Sequence, residues 1–271
     1  MWRELSDSLK TENFVVVAVA EDSGGADAAR PWIEQANPAY PCLIDVDHRV
    51  AALYGMVNVP QCVWIDESGH IVRPPESAGS TDHFRGMDPV TGTLPPEASA
   101  ARAAARAAYL DAVRDWVRTG RHALNADEAR RKLPRVTPDM ALADANFRLG
   151  IWLRRNGRPD EAVAFLATAS RLHPESWNIW RQAADKNETG LASGPVFWDR
   201  VRNLGDRPYY PPPDLPGFCF RYGVPLAGKP GGRPGAHRDK ARRFARGFNT
   251  GLARPGRECV RGSTRLFLSV A

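Results

Sequence analysis

The run Phe14–Ala20, FVVVAVA, constrains this 271-residue chain more than any other feature. It is continuous, rich in β-branched residues and free of polar interruption, so it reads as a strand buried on both faces, as in the interior of a parallel sheet. Such a strand needs helices above and below it, and the neighbouring sequence supplies them. Trp2–Leu9 places Trp2, Leu5 and Leu9 on one helical face, and Thr11-Glu12-Asn13 is a short link into the strand. Ala26–Ala36 reads as a helix restricted by Pro31. Cys42–Ile44 then reads as a short strand and Asp47–Tyr54 as a short helix, with Gly55 as its stop. Gln61–Asp66 and His70–Arg73 form a hairpin through the turn-rich Asp66-Glu67-Ser68-Gly69. Residues 1–75 are therefore an α/β domain.

Five short motifs follow the apolar strand in order: Leu43-Ile44-Asp45, Leu53-Tyr54-Gly55, Val59-Pro60, Val63-Trp64-Ile65-Asp66 and Gly69-His70-Ile71-Val72. In order and content they resemble the thioredoxin-like superfamily, within it the redoxin branch of thiol-disulfide reductases and alkyl hydroperoxide reductases. The resemblance covers about a quarter of the chain. It implies a cis peptide between Val59 and Pro60, facing the redox cysteines of the family. It also implies a loss, because the family's Cys-x-x-Cys ends a strand that precedes the helix represented here by Trp2–Leu9. The chemistry needs a thiolate at a helix N-terminus and a resolving thiol within one turn, and Met1–Lys10 supplies neither. The expected fold is thus an incomplete thioredoxin-like sheet with a gap between Phe14–Ala20 and Gln61–Asp66. Unpaired buried backbone groups at such a gap cost about 1–3 kcal/mol each. Either the flanking strands pair directly or the natural N-terminus lies upstream, and the second is the favoured expectation.

Of the four cysteines, Cys42, Cys62, Cys219 and Cys259, none forms a paired zinc knuckle or a disulfide framework. Cys62 and Cys42 are the remaining redox candidates. Cys62 lies two residues beyond Pro60 on the same strand face, about 6–7 Å along, whereas Cys42 opens a different strand. Both read first as small buried hydrophobes.

Residues 76–96 are rich in Pro, Gly, Ser and Thr and read as a linker. Residues 97–205 are helical. Glu97–Gly120 carries Tyr109, Leu110, Val113, Trp116 and Val117 on one stripe. Leu149, Gly150, Ala162, Leu166, Ala169 and Pro174, with Trp180 beyond, resemble a tetratricopeptide repeat over about 143–176. Small residues fall where two helices approach closely, and large ones fill the gap. One repeat cannot bury its own apolar face, so the unit must pack on Glu97–Gly120 or on the α/β segment. A groove for a protein or peptide partner is one implication of the resemblance, and a capping subdomain is the other.

Residues 206–271 begin as an extended, Pro-rich segment and end in an Arg/Gly-rich tail. Arg221–Ala271 holds twelve Lys and Arg against two Asp and Glu, a charge of +10 within a chain of net +6. Such a tail reads as disordered, with non-specific anion binding as its available function. No run reaches the roughly 18–20 apolar residues of a membrane span, and the first residues lack a signal-peptide pattern, so a cytoplasmic location is expected. No cofactor or metal site is expected either. There is no Gly-rich phosphate loop and no His-Glu-x-x-His, His48 after Asp45 and Asp47 reads as a helix start, and His173 as a helix end. The leading expectation is a redoxin-like scaffold or interaction protein, catalytically incomplete. The alternative is a thiol-disulfide oxidoreductase or peroxidase-like enzyme whose active-site segment is missing.

Overall fold

A computed structural model describes residues 1–88, 90–187, 191–216, 218, 220–221, 224–225 and 264–270. The α/β part runs α1 (Trp2–Ser8), β1 (Phe14–Ala20), α2 (Ala26–Ala36), β2 (Cys42–Ile44), α3 (Arg49–Tyr54), β3 (Gln61–Ile65) and β4 (Ile71–Glu76). A 3-10 turn (Asp82–Gly86) leads to the long α4 (Pro96–Thr119). Then come α5 (Ala126–Lys132), α6 (Pro138–Arg155), α7 (Pro159–Leu172), α8 (Trp177–Ala183) and α9 (Pro195–Arg202). A two-residue ladder pairs β5 (Phe220–Arg221) with β6 (Val224–Pro225), and the last described element is β7 (Arg265–Val270).

The five-stranded sheet has the order β2-β1-β7-β3-β4, and here the sequence-based expectation is corrected. No gap lies between β1 and β3, because β7 fills it. It runs parallel to β1, from Phe14 opposite Arg265 to Val19 opposite Val270, and antiparallel to β3, from Gln61 opposite Val270 to Ile65 opposite Leu266. The missing ladder partner comes from the other end of the same chain. The expected disordered tail is corrected with it, at least for Arg265–Val270, where Phe267 and Val270 are fully buried. The physical reason is local: Leu266-Phe267-Leu268-Ser269-Val270 can fill both faces of a central strand, and the charge average over Arg221–Ala271 hides it. Residues 226–263 of that tail lie outside the described residues, and so does the anion-binding expectation placed on them.

Each face of the sheet has its own core. Val16, Cys62, Trp64 and Phe267 point one way, into Leu5 of α1, Leu9 just beyond it, and Tyr109, Leu110, Val113 and Trp116 of α4. Val19, Val63, Leu268 and Val270 point the other way, onto Ala51 and Met56 of α3 and its C-terminal turn. Gly55 ends α3 in the left-handed conformation, as the sequence led one to expect.

The segment 76–96, expected as a linker, is packed against the rest of the chain in places. Ala78 and Phe84 are buried, and Phe84 joins Trp177, Trp180, Val201 and Tyr209 in an aromatic cluster. A segment that buries a large ring has an enthalpic reason to be ordered that its Pro and Gly content does not reveal. Within 206–218, Tyr209 and Tyr210 lie in or against this cluster, and α9 falls inside the stretch 97–205 expected to be helical.

Helices α6 and α7 form a close antiparallel hairpin. A Cβ on Gly150 would meet the Leu166 side chain at 2.7–2.8 Å, so only glycine lets the two backbones approach this far. Ala162, Leu166 and Ala169 are buried in the hairpin core, Leu149 instead faces solvent at 41% exposure, and Trp180 belongs to the aromatic cluster. The hairpin rests on the α/β part through α8. The backbone N–H groups of Trp177 and Asn178 donate to Val57 O at 2.7 and 3.2 Å. Among the described residues no helix is long and apolar enough to cross a membrane.

Candidate functional site

Strands β1 and β2 are parallel neighbours with Ala20 opposite Ile44, so the residues just beyond them emerge side by side. These are Glu21 after β1 and Asp45 after β2. The carboxyl edge of parallel strands is where open α/β sheets hold their ligands. Asp45 is structural: its N–H donates to Ala20 O at 2.8 Å, and its Oδ2 accepts from Val50 N at 2.6 Å, capping the first turn of α3. That cap draws the chain into a tight turn, and His48 takes the left-handed conformation at φ +53°. The turn aims the imidazole inward.

There His48 Nδ1 stands 2.8 Å from Glu21 Oε1, with the two side chains only 5% and 3% exposed. The contact is off the hydrogen-bonding direction. Glu21 Oε1 and both ring nitrogens of His48 are buried without a hydrogen bond among the described residues. The edge of one ring meets the face of the other where His48 packs on Phe147 of α6, centroids 5.2 Å apart and planes at 89°. Buried polar atoms are nearly always hydrogen-bonded, so two such side chains together require a reason.

They line a cavity of about 530 Å³ between α3 and the helical unit. Its walls are mostly apolar, with Ala51 and Met56 on the sheet side and Met140, Phe147 and Ile179 on the helical side, beside the polar Ser176 and Asn178. Leu53 and Val136 also line it and are 80% and 73% exposed, which places them at its mouth. The charges around it are largely cancelled, since Asp47 pairs with Arg155 at 2.5 Å and Asp144 with Arg148 at 3.8 Å. His173 faces it too, and burial lowers its pKa from the usual 6.5. Pockets of this size, apolar with a few polar groups and set between packed units, are the usual form of a small-molecule site.

The thiol candidates sit elsewhere. Cys62 Sγ lies 2.8 Å from the Tyr109 hydroxyl. That hydroxyl donates its hydrogen to Glu76 Oε1 at 2.8 Å and accepts from Trp64 Nε1–H at 2.9 Å. With its one hydrogen committed to Glu76 Oε1, Tyr109 leaves the thiol to carry its own proton, for which the Tyr109 hydroxyl and Glu76 O, 3.7 Å from sulfur, are the acceptors at hand. Burial first, and the Glu76 charge second, push the Cys62 thiol well above its usual 9.0. Arg73 closes the network, giving Nε and Nη2 to Glu76 at 3.0 Å each, Nη1 to His122 O at 2.9 Å and Nη2 to Asp214 O at 2.7 Å. Cys42, partly buried, also has its pKa raised by burial. Cys42, Ala18, Ser269 and Cys62 follow one another in register across four strands. Three strand spacings put the two sulfur-bearing residues about 14 Å apart, twice the reach of a disulfide. Cys219 and Cys259 lie outside the described residues.

The Val59–Pro60 peptide is cis. Its loop is gripped by the chain itself. Besides the Val57 carbonyl held by α8, Val59 O accepts from the Tyr210 hydroxyl at 2.9 Å, and Asn58 Oδ1 accepts from Arg181 at 2.9 Å. No group of His, Cys, Asp and Glu suited to a metal ion occurs among the described residues.

Sequence reasoning took His48 for a helix start and passed over Glu21. The helix start was sound, but the pair was visible only by asking which polar residues follow two adjacent parallel strands. In comparisons with family models, curated proteins and solved structures, nothing matches this chain.

Proposed function

We propose that the chain is a thioredoxin-like scaffold without thiol chemistry, which works through what it binds rather than through what it oxidises. What supports the thioredoxin-like reading is the sheet order, with β7 parallel to β1 and antiparallel to β3 in the place assigned to the family's thiol-bearing strand. That strand here reads Arg-Leu-Phe-Leu-Ser-Val and holds no cysteine.

The observation that carries the reading is the committed proton of Cys62. A thiol that keeps its proton between the Tyr109 hydroxyl and Glu76 O, and whose ionisation is opposed by burial and by Glu76, is not set up as the nucleophile that disulfide exchange requires. A protein or peptide partner is part of the proposal, supported by Leu142, Leu149 and Trp152, which stand exposed on one face of α6.

The test uses the full chain in insulin-disulfide reduction and peroxide consumption. Rates equal to the uncatalysed blank are expected, together with mass-mapped alkylation that leaves Cys62 unmodified until the chain unfolds. Turnover abolished by replacing any one of the four cysteines with serine would overturn the reading.

A further inference from the structure

We propose that the cleft between α3 and α6 binds a neutral small molecule with an apolar body and a hydroxyl head, the hydroxyl bridging Glu21 and His48. The inference uses no cysteine and no family resemblance, so it stands or falls apart from the redox-silent reading.

The head group follows from hydrogen-bond accounting. In every protonation state an imidazole carries at least one N–H, and neither nitrogen of His48 makes a hydrogen bond. Glu21 Oε1 is an acceptor without a donor. The site therefore lacks one acceptor and one donor, side by side, and a hydroxyl supplies both from a single atom. A carboxylate ligand brings acceptors only and would face the Glu21 carboxylate in a desolvated place. An ammonium brings donors only and would leave the imidazole N–H unmet. The cancelled pairs Asp47–Arg155 and Asp144–Arg148 leave little net field to favour an ion, Arg49 being exposed at the rim.

The body follows from the walls. Ala51, Met56, Met140, Phe147 and Ile179 offer no hydrogen bond from their side chains, and two of the five are methionines, which adapt to irregular shapes. A cavity of about 530 Å³ lies within the range of about 300–1,000 Å³ that holds a single small ligand. Left to water alone, such a space would satisfy the pair at one end and leave the apolar walls wet.

The experiment titrates the full chain with 1-octanol by calorimetry, beside three molecules of similar length: methyl heptyl ether, which cannot donate, octanoate and octylamine. One octanol per chain is expected, binding at least about tenfold tighter than each of the three, the worth of one hydrogen bond to a charged group. In Glu21→Met and His48→Asn the preference for octanol over the ether should shrink towards one, while both variants stay folded by circular dichroism. If either variant fails to fold, the imidazole nitrogen resonances of His48 in the unaltered protein should shift as octanol saturates. Three results would overturn the proposal: no octanol binding up to its solubility limit, which means that water fills the cleft; ether, octanoate or octylamine binding as tightly; or octanol binding that ignores both variants and leaves the His48 resonances in place.

Discussion

Two buried polar clusters lie on opposite sides of one sheet, and they are built on opposite principles. On the α1/α4 side, Cys62, Trp64, Tyr109, Glu76 and Arg73 give and accept hydrogen bonds around a closed circuit. Arg73, 2% exposed, is held by Glu76 and two backbone carbonyls and also lies over the Trp64 ring at 5.2 Å. On the α3/α6 side, Glu21 and His48 have only each other as polar neighbours, without an aligned hydrogen bond, and face an open cavity. Burial is equally deep in both. What differs is satisfaction, and that separates a polar group that holds a fold together from one that awaits an occupant.

The largest expected effect lies in the strand between the two clusters. Phe267, fully buried in β7, touches Trp2 with ring centroids 4.8 Å apart. Phe267→Ala should lower unfolding free energy by about 3–5 kcal/mol in a urea titration. A loss below about 1 kcal/mol would mean that β7 does not close the sheet. Next in size, Glu76→Gln removes one side of the Arg73 pair and should cost about 3 kcal/mol or more, because a buried guanidinium is left uncompensated.

The alkaline limb of the stability profile should be smaller. Tyr109 and Cys62 are both raised well above their usual 10.0 and 9.0, chiefly by burial. Above pH 9 the unfolded chain releases protons that the folded chain retains, so the stability these groups contribute is complete below that pH and is lost as pH climbs further. The midpoint of thermal unfolding should fall between pH 9 and 11, and Tyr109→Phe should flatten part of that fall. An unchanged slope in the variant would place the titration elsewhere. The smallest effect completes the comparison. Glu21→Gln replaces a carboxylate whose Oε1 has no hydrogen bond among the described residues, so it should change stability by less than about 1 kcal/mol. If it cost as much as Glu76→Gln, the two clusters would not differ in kind.

Much of the fold was legible because it is local. The boundaries of β1, α2 and β2 follow from β-branched runs and turn residues, and the ends of α3 and α4 from Gly55 and Gly120. Arginine-rich composition concealed β7, since the six residues that make it a core strand are outvoted in any wide window. Likewise Pro and Gly between 76 and 96 hid the burial of Phe84, and the capping box of Asn125 and Glu128 that starts α5 passed unnoticed. Burial was legible for Cys62, while Cys42 is only partly buried; what could not be read was the proton accounting around Tyr109, whose partners lie 33, 45 and 47 residues away.

The amino-acid order alone therefore determined the elements whose pattern is local, from β1 to α4. Only the tertiary structure decided which strand completes the sheet and which buried groups find partners. Hydrophobic pattern is a property of neighbours along the chain, whereas strand pairing and hydrogen-bond satisfaction are settled between residues as distant as Val16 and Phe267.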